Sequence, residues 1–187
     1  MVVAEVRWLD PEQRAAWLRL VAVLELLPAA LDTNLARDEG LTLFEYLCLA
    51  MLSETPDRTL RMTALAARTN ATLPRLSRVI SGLERAGLVV REPCPGDRRA
   101  TNAVLTPAGW EKIVQAAPGH VTTVRELVID ALTPTQLAQL ARICDRLLVR
   151  LDPEGRMLGA IEQTPEISLD SRHTGHKAAH TGHKAAY

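Results

Sequence analysis

Apolar residues recur at helical spacing between Thr72 and Gly87, and this pattern predicts a helix. Residues three and four positions apart lie on one face of a helix. Five apolar residues have this spacing: Leu73, Leu76, Val79, Ile80 and Leu83. The opposite face is polar and basic, and it consists of Pro74, Arg75, Arg78, Ser81, Gly82 and Arg85. Thr72 can cap the start of the helix, and a glycine such as Gly87 adopts the left-handed conformation that ends one.

A β-hairpin is predicted directly after this helix. Two short runs rich in β-branched residues, 88–91 and 103–105, indicate antiparallel strands. The segment between them, 92–102, contains two prolines and a Gly-Asp turn, so we expect a projecting loop. Arg98 and Arg99 should therefore lie near the tip of that loop.

The residues before this helix complete a winged helix-turn-helix. Thr42 begins a capping box and a helix that should run to about Ser53, and 59–61 reads as a short strand. A short helix is expected at 63–69, with a turn at 70–71. The order of helix, turn, helix and hairpin is typical of this DNA-binding motif. The predicted fold class is mainly α with a small β-hairpin wing.

Three further helices flank this module. Asp10, Thr106 and Thr133 each precede a proline, which is the pattern of an N-cap followed by the first helical residue. Pro118 predicts a kink or short break in the second of these helices. The first helix carries more large apolar residues than one surface stripe requires, so we expect it either to be central to the core or to bury a second face in a partner. The surplus leucines of the first helix and the two last helices suggest that they form one helical platform.

The charge distribution favours nucleic acid as the partner of the module. The chain has a formal net charge of zero, yet 61–99 contains eight arginines and three acidic residues, a net charge of +5. An arginine-bearing helix fits the major groove, and the hairpin tip can reach a minor groove or phosphates. The expected contacts come from Thr72, Arg75, Ser77 and Arg78 on the helix and from Arg98 and Arg99 on the wing. A basic face that binds an acidic protein partner is the alternative.

The run 83–109 closely resembles the winged-helix signature of MarR-type (multiple-antibiotic-resistance regulator) transcription factors. The matching residues are Leu83-Glu84, Gly87-Leu88-Val89, Arg91, Pro95, Asp97-Arg98-Arg99, Leu105-Thr106 and Gly109. The remainder, from about Leu9 to Leu151, agrees with the family in its order of helices. The resemblance implies a prokaryotic homodimeric regulator that binds double-stranded operator DNA and responds to a small-molecule effector, and we interpret it as a repressor. It also implies that Asp97 orients Arg99 through an Asp-x-Arg pair.

A single domain at 1–151 is expected from the 187-residue length and from these elements. It comprises a reading module at about 42–106 and dimerisation helices at about 8–36 and 107–151. A flexible tail, 152–187, follows. The sequence shows no signal peptide, membrane-spanning run, phosphate-binding loop or hydrolase motif, so we expect a cytoplasmic protein with no enzymatic activity and no cofactor.

Several residues have two interpretations. His120 either lines an effector cavity or is a hydrogen-bonded helix histidine. Cys94 is either an oxidisable thiol among wing arginines, which would make the protein redox-responsive, or an exposed residue without a role. Redox-sensing members of the resembled family carry their cysteine near the start of the first helix, and this chain has none there. Cys48 and Cys144 are expected in a core or an interface.

The C-terminal end repeats the sequence HTGHKAA twice and has the composition of a flexible tail or of an expression-tag remnant. Its histidines, His173, His176, His180 and His183, have the spacing of zinc or nickel ligands, so a metal-responsive regulator is a further alternative. We expect deletion of residues 170–187 to leave operator affinity within a few-fold of wild type, because this composition cannot bury enough surface to become ordered. Titration of operator DNA with full-length and truncated protein, with and without zinc, tests this; a large loss of affinity or of a metal response would contradict it.

Overall fold

Six α-helices and a three-stranded antiparallel sheet make up the part of the chain that the structure, a computed structural model, describes: residues 6–157, without the side chain of Arg98. In chain order the elements are α1 (Pro11–Glu39), α2 (Leu43–Ser53), β1 (Thr59–Arg61), α3 (Met62–Arg68), α4 (Leu73–Arg85), β2 (Val89–Cys94), β3 (Asp97–Leu105), α5 (Pro107–Val124), a π-helix (Arg125–Ile129) and α6 (Pro134–Leu151). The predicted fold class is confirmed. The four histidines of the C-terminal tail lie outside the described residues.

Local capping interactions determine where the helices start. The side chains of Asp10, Thr42, Thr72, Thr106 and Thr133 each accept the backbone N–H three residues later. Three of these starts are full capping boxes, in which a glutamine or glutamate side chain also accepts the N–H of the cap residue. The helix starts predicted from these residues are confirmed.

The hydrophobic core lies between α2, α4 and the sheet. Leu49 and Leu52 of α2 are fully buried, as are Leu76 and Ile80 of α4. The predicted inward face of α4 is therefore confirmed over most of its length. Leu73 is the exception, since 47% of its surface is exposed. It is the first residue of α4, and this end of the helix projects beyond the core.

The wing is a longer and tighter hairpin than the sequence predicts. Strand order is β1-β3-β2, and β2 and β3 remain paired until Cys94 lies opposite Asp97. The prediction of a loop at 92–102 is therefore wrong, because most of these residues pair between β2 and β3. Pro93 is tolerated since β2 is an edge strand, and a bulge follows it. Gly96, with φ of 81°, closes the turn.

The helix α5 runs through Pro118 without the expected break. A proline inside a helix removes one backbone hydrogen bond. Burial of Ile113 and Ala116, on the same helix just before it, holds α5 against the core despite that loss. The departure from α-helical geometry occurs later, in the π-helix Arg125–Ile129.

The outer helices leave large apolar surfaces exposed. Leu35 is the one buried residue of α1, and no residue of α6 is buried. The exposed apolar side chains of these two helices are Trp17, Leu18, Leu20, Val23, Leu24, Leu26, Leu137, Leu140, Ile143, Leu147, Val149 and Leu151. The alternative that α1 is central to the core of the chain is therefore wrong, which leaves the alternative that it packs against a partner. Within residues 6–157, no helix combines the length and the apolar character needed to cross a membrane.

Candidate nucleic-acid interface

The first half of α4 presents the residues predicted to contact DNA. Thr72, Arg75, Ser77 and Arg78 are all exposed. The guanidinium carbon of Arg75 lies 4.2 Å from the ring centroid of Phe44, in the geometry of a cation–π contact. Arg78 Nε donates to the carbonyl of Pro74 at 3.4 Å. The side chain of Arg75 therefore lies on the side of α4 that faces α2, and the side chain of Arg78 lies along the surface of α4 itself.

A tight turn sets the position of α4 relative to α3. Asn70 has a φ of 47°, a left-handed conformation that asparagine tolerates better than most residues. The N–H of Ala71 donates to the carbonyl of Ala66 at 2.9 Å. The buried hydroxyl of Thr69 donates to the carbonyl of Leu65 at 2.8 Å. These bonds satisfy backbone carbonyls at the C-terminal end of α3, so the chain can turn within a few residues into α4.

Around the wing turn, Asp97 contacts two arginines in different ways. Its Oδ1 accepts the backbone N–H of Arg99 at 3.1 Å, and its Oδ2 lies 3.9 Å from Arg61 Nη1. The Asp-x-Arg contact implied by the resemblance thus involves the backbone of Arg99, whose side chain is exposed. Arg61, which sequence reasoning had not selected, pairs with the carboxylate. Arg98 lies beside Arg99 at the start of β3, and its side chain is not among those described.

Arg91 joins the wing to α4, and sequence reasoning assigned it no role. Its Nη2 donates to the Ser77 carbonyl at 2.6 Å and to the Ser81 hydroxyl at 3.0 Å. Its Nη1 lies 3.5 Å from Glu84 Oε2. Strand alternation could have indicated this, because residues two apart share a face and Val89 is buried. Ser77, expected to contact DNA, is also a partner of this arginine.

The resulting surface is strongly positive. Arg61, Arg75, Arg78, Arg85 and Arg99 are exposed around α4 and the wing. Glu84, on the same helix, is engaged by Arg91. Clustered arginines with few opposing acids produce the potential that attracts phosphate backbones.

His120 lies in a small cleft between α1 and α5. The cleft has a volume of ≈ 20 Å³, enough for one water molecule, and it is lined by Leu31, Asn34, Leu35, Asp38, Glu39, Ala116, Gly119, His120 and Thr123. The His120 ring lies 4.3 Å from the ring of Tyr46 between centroids. Its Nδ1 is buried without a hydrogen-bond partner among the described residues. His120 therefore lines a cleft, and its part in binding an effector stays a prediction.

Burial changes the titration of groups around this cleft. Burial lowers the pKa of His120, so its imidazole is neutral at pH 7. Burial, and to a lesser extent the nearby Glu54, raises the pKa of Tyr46 to about 12. The cleft therefore presents a neutral imidazole nitrogen that can accept a hydrogen bond.

The cysteines occupy three different environments. Cys48 is fully buried in α2, and burial raises the pKa of its thiol to about 12. The prediction of a core position for Cys48 is confirmed. Cys94 is half-buried in the wing, and Cys144 is exposed on α6. Within residues 6–157, no cluster of three or more His, Cys, Asp or Glu side chains could hold a metal ion.

Comparison with known proteins identifies the family. The MarR family profile matches residues 39–100. The chain is 30% identical over 116 residues to the HTH-type transcriptional repressor YetL of Bacillus subtilis, covering 60% of this chain and 70% of YetL. It is 32% identical over 108 residues to the HTH-type transcriptional repressor Rv2887 of Mycobacterium tuberculosis, covering 58% of this chain and 76% of Rv2887.

Solved structures agree with this assignment. Sco3205, a MarR family transcriptional regulator from Streptomyces coelicolor in complex with DNA, superposes with a TM-score of 0.77 at 41% identity, covering 81% of this chain and 94% of Sco3205. AbsC, a MarR family regulator from the same organism, gives 0.74 at 38% identity, with 78% and 98% covered. The sequence signature, the winged helix and these similarities agree, and the chain belongs to the MarR family of transcriptional regulators.

Proposed function

We propose that this chain is a homodimeric, effector-responsive repressor that binds double-stranded operator DNA. The observation that carries the proposal is the exposed basic half of α4 fixed beside an arginine-tipped hairpin. In this proposal α4 enters the major groove, and the wing contacts the adjacent minor groove or its phosphates. The 41% identity to Sco3205, whose structure contains DNA, supports this role. Binding would repress transcription by blocking polymerase.

Two copies of the chain would assemble through the helices at about 8–36 and 107–151, leaving the module at about 42–106 to bind DNA. The exposed apolar side chains of α1 and α6 support this arrangement, because contiguous apolar surface of this kind marks an interface. Two reading helices in one dimer can contact successive major grooves, provided that their separation matches one helical turn of DNA. In this proposal the dimerisation helices and the DNA-binding module form one domain, residues 1–151, of a cytoplasmic protein.

The effector would bind where the dimerisation helices meet the reading module. The cleft lined by His120 supports this location, because the His120 ring contacts Tyr46 of α2, and α2 packs on α4. At its present volume of ≈ 20 Å³ the cleft holds about one water molecule, so an effector would have to widen it. Movement of α2 would then change the separation of the two reading helices, and the effector would favour the conformation that does not fit DNA.

The proposal predicts that Arg78 and Arg99 contribute differently to binding. Arg78→Ala should cost roughly 1–3 kcal/mol on the operator and relax base preference at one position in each half-site. Arg99→Ala should weaken binding to most sequences and reduce the slope of log affinity against log salt by about one unit. Both variants should fold normally, because both side chains are exposed. Titration of operator and scrambled DNA across a salt series measures all these quantities.

Arg142→Ala, an identical change of charge on α6 outside the reading module, is the matched control. It should bind operator as wild type does. If Arg78→Ala lowered both affinities equally while Arg99→Ala alone lost sequence preference, the assignment of reading helix and wing would be wrong. If neither variant affected DNA binding, the alternative of a basic face for an acidic protein partner would replace the proposal.

A further inference from the structure

We infer that Arg91 is a positioning residue that holds the wing at a fixed angle to the reading helix. The inference rests on the proposed DNA-binding function, since it concerns how the two contact elements are kept in register. Arg91 itself is poorly placed to read DNA. Only 27% of its side chain is exposed, and its guanidinium already donates to groups of α4.

The contacts of Arg91 extend along α4. Its guanidinium reaches the Ser77 carbonyl at 2.6 Å, the Ser77 hydroxyl at 3.3 Å and the Ser81 hydroxyl at 3.0 Å. Glu84 accepts both from the guanidinium at 3.5 Å and from the backbone N–H of Arg91 at 3.3 Å. The first and last of these partners are seven positions apart, or about 10 Å along the helix. Contacts distributed over that length restrain rotation of the strand as well as its distance from the helix.

Among the described residues of β2, Arg91 is also the last one before the wing tip that is hydrogen-bonded to α4. Among the described residues, none of Glu92, Pro93 or Cys94 forms a side-chain or cross-element hydrogen bond to α4. The turn begins three residues beyond Arg91, at about 3.3 Å per residue. A rotation of about 10° at Arg91 would therefore move the wing tip by roughly 2 Å, given that rise per residue. A shift of that size is sufficient to misalign Arg99 with its phosphate or groove contact.

The chemistry of the contact requires arginine. A planar guanidinium can donate to a carbonyl, a hydroxyl and a carboxylate at once in a fixed geometry. The short bond to the Ser77 carbonyl is charge-assisted, which strengthens it relative to a neutral hydrogen bond. A lysine has one nitrogen, so it can keep some of these contacts but cannot span all of them. Arg91→Lys should therefore restore part of what Arg91→Ala loses.

A double-mutant cycle in operator binding tests the inference. Arg91→Ala should weaken binding about as much as Arg99→Ala does, because the wing arginine is no longer aligned. Adding Arg99→Ala to Arg91→Ala should then weaken binding less than about twofold further, because residues that act together are not additive. Arg78→Ala should lower operator affinity by the same factor in the Arg91→Ala background as in wild type, since packing against the core holds α4 in place. Arg91→Lys should recover at least part of the lost affinity.

Hydrogen exchange of the DNA-free protein gives an independent readout. In Arg91→Ala the amides of 92–99 should exchange faster, whereas those of the buried face of α4 should be unchanged. If Arg91→Ala does not fold, Glu84→Gln tests the same contact, with a smaller increase in wing exchange expected. Full additivity of Arg91→Ala with Arg99→Ala, or unchanged wing exchange, would overturn the inference. If Arg99→Ala has no effect while Arg78→Ala does, the wing does not contact DNA and the inference is overturned. If neither variant affects DNA binding, the proposed function fails instead.

Discussion

Gly109→Ala is expected to destabilise the fold by about 1–3 kcal/mol or more, because the added methyl group overpacks a closed contact. A Cβ at this position would lie 2.1 Å from the carbonyl oxygen of Leu88 and 2.7 Å from Leu105 Cδ1. The leucine side chain could adjust, but the backbone carbonyl is held, since it accepts the N–H of Thr106 at 3.1 Å. The start of α5 must therefore separate from the base of the wing.

Gly119→Ala is the matched control, because it is the same substitution in the same helix. A Cβ at Gly119 would meet nothing within 4 Å. Alanine is the better helix former, so this variant should gain up to about 1 kcal/mol. The two changes should thus have opposite signs in urea unfolding followed by circular dichroism. Equal stability of Gly109→Ala and wild type would mean that α5 and the wing are not in this close contact.

The consequence of this contact extends to DNA binding. Thr106 donates its hydroxyl to the Gly87 carbonyl at 2.7 Å and caps α5 through the N–H of Gly109 at 3.0 Å. The end of α4, the base of the wing and the start of α5 thus meet at one point. A variant that opens this point should lose operator affinity in addition to stability, because the wing and the proposed dimerisation helix α5 would no longer be held together.

The features that sequence reasoning predicted correctly are determined within a few residues. The hydroxyl of Thr42 accepts the backbone N–H of Glu45, and the carboxylate of Glu45 accepts the backbone N–H of Thr42. The start of α2 can therefore be predicted from four consecutive residues. The apolar spacing of α4 likewise indicates which residues pack against the core, apart from Leu73 at the start of the helix. Periodicity does not indicate how far the core extends along a helix.

The features that sequence reasoning did not predict depend on contacts between different helices and strands. Pro93 indicated a loop, but a proline is tolerated in an edge strand such as β2, and strand order cannot be read from the hairpin alone. The pairing of Asp97 with Arg61 joins residues 36 positions apart. The seven-residue separation of Arg91 from Glu84 is short, yet it crosses from a strand to a helix. Such contacts become visible only when the angle between the two elements is known.

Leu147→Glu is expected to convert the proposed dimer into a folded monomer. Leu147 lies on the apolar stripe of α6, and 40% of its surface is exposed in the single chain. In a dimer the carboxylate would be buried without a partner, which is costly, whereas in a monomer water solvates it. Because α6 contributes no buried residue to the chain, the rest of the fold should survive. Sedimentation should therefore show a monomer whose circular dichroism spectrum is helical.

The same substitution should abolish specific DNA binding without touching the reading surface. A monomer contacts one half-site, so operator affinity should fall towards the non-specific level, roughly a thousandfold or more weaker. Gln139→Glu adds the same charge on the polar side of α6 and should leave both the dimer and its affinity unchanged. If Leu147→Glu stays dimeric, or if wild type sediments as a folded monomer at micromolar concentration, the exposed stripe of α6 is not the interface. A folded Leu147→Glu monomer that still binds the operator with full affinity would instead show that dimerisation is not required for recognition.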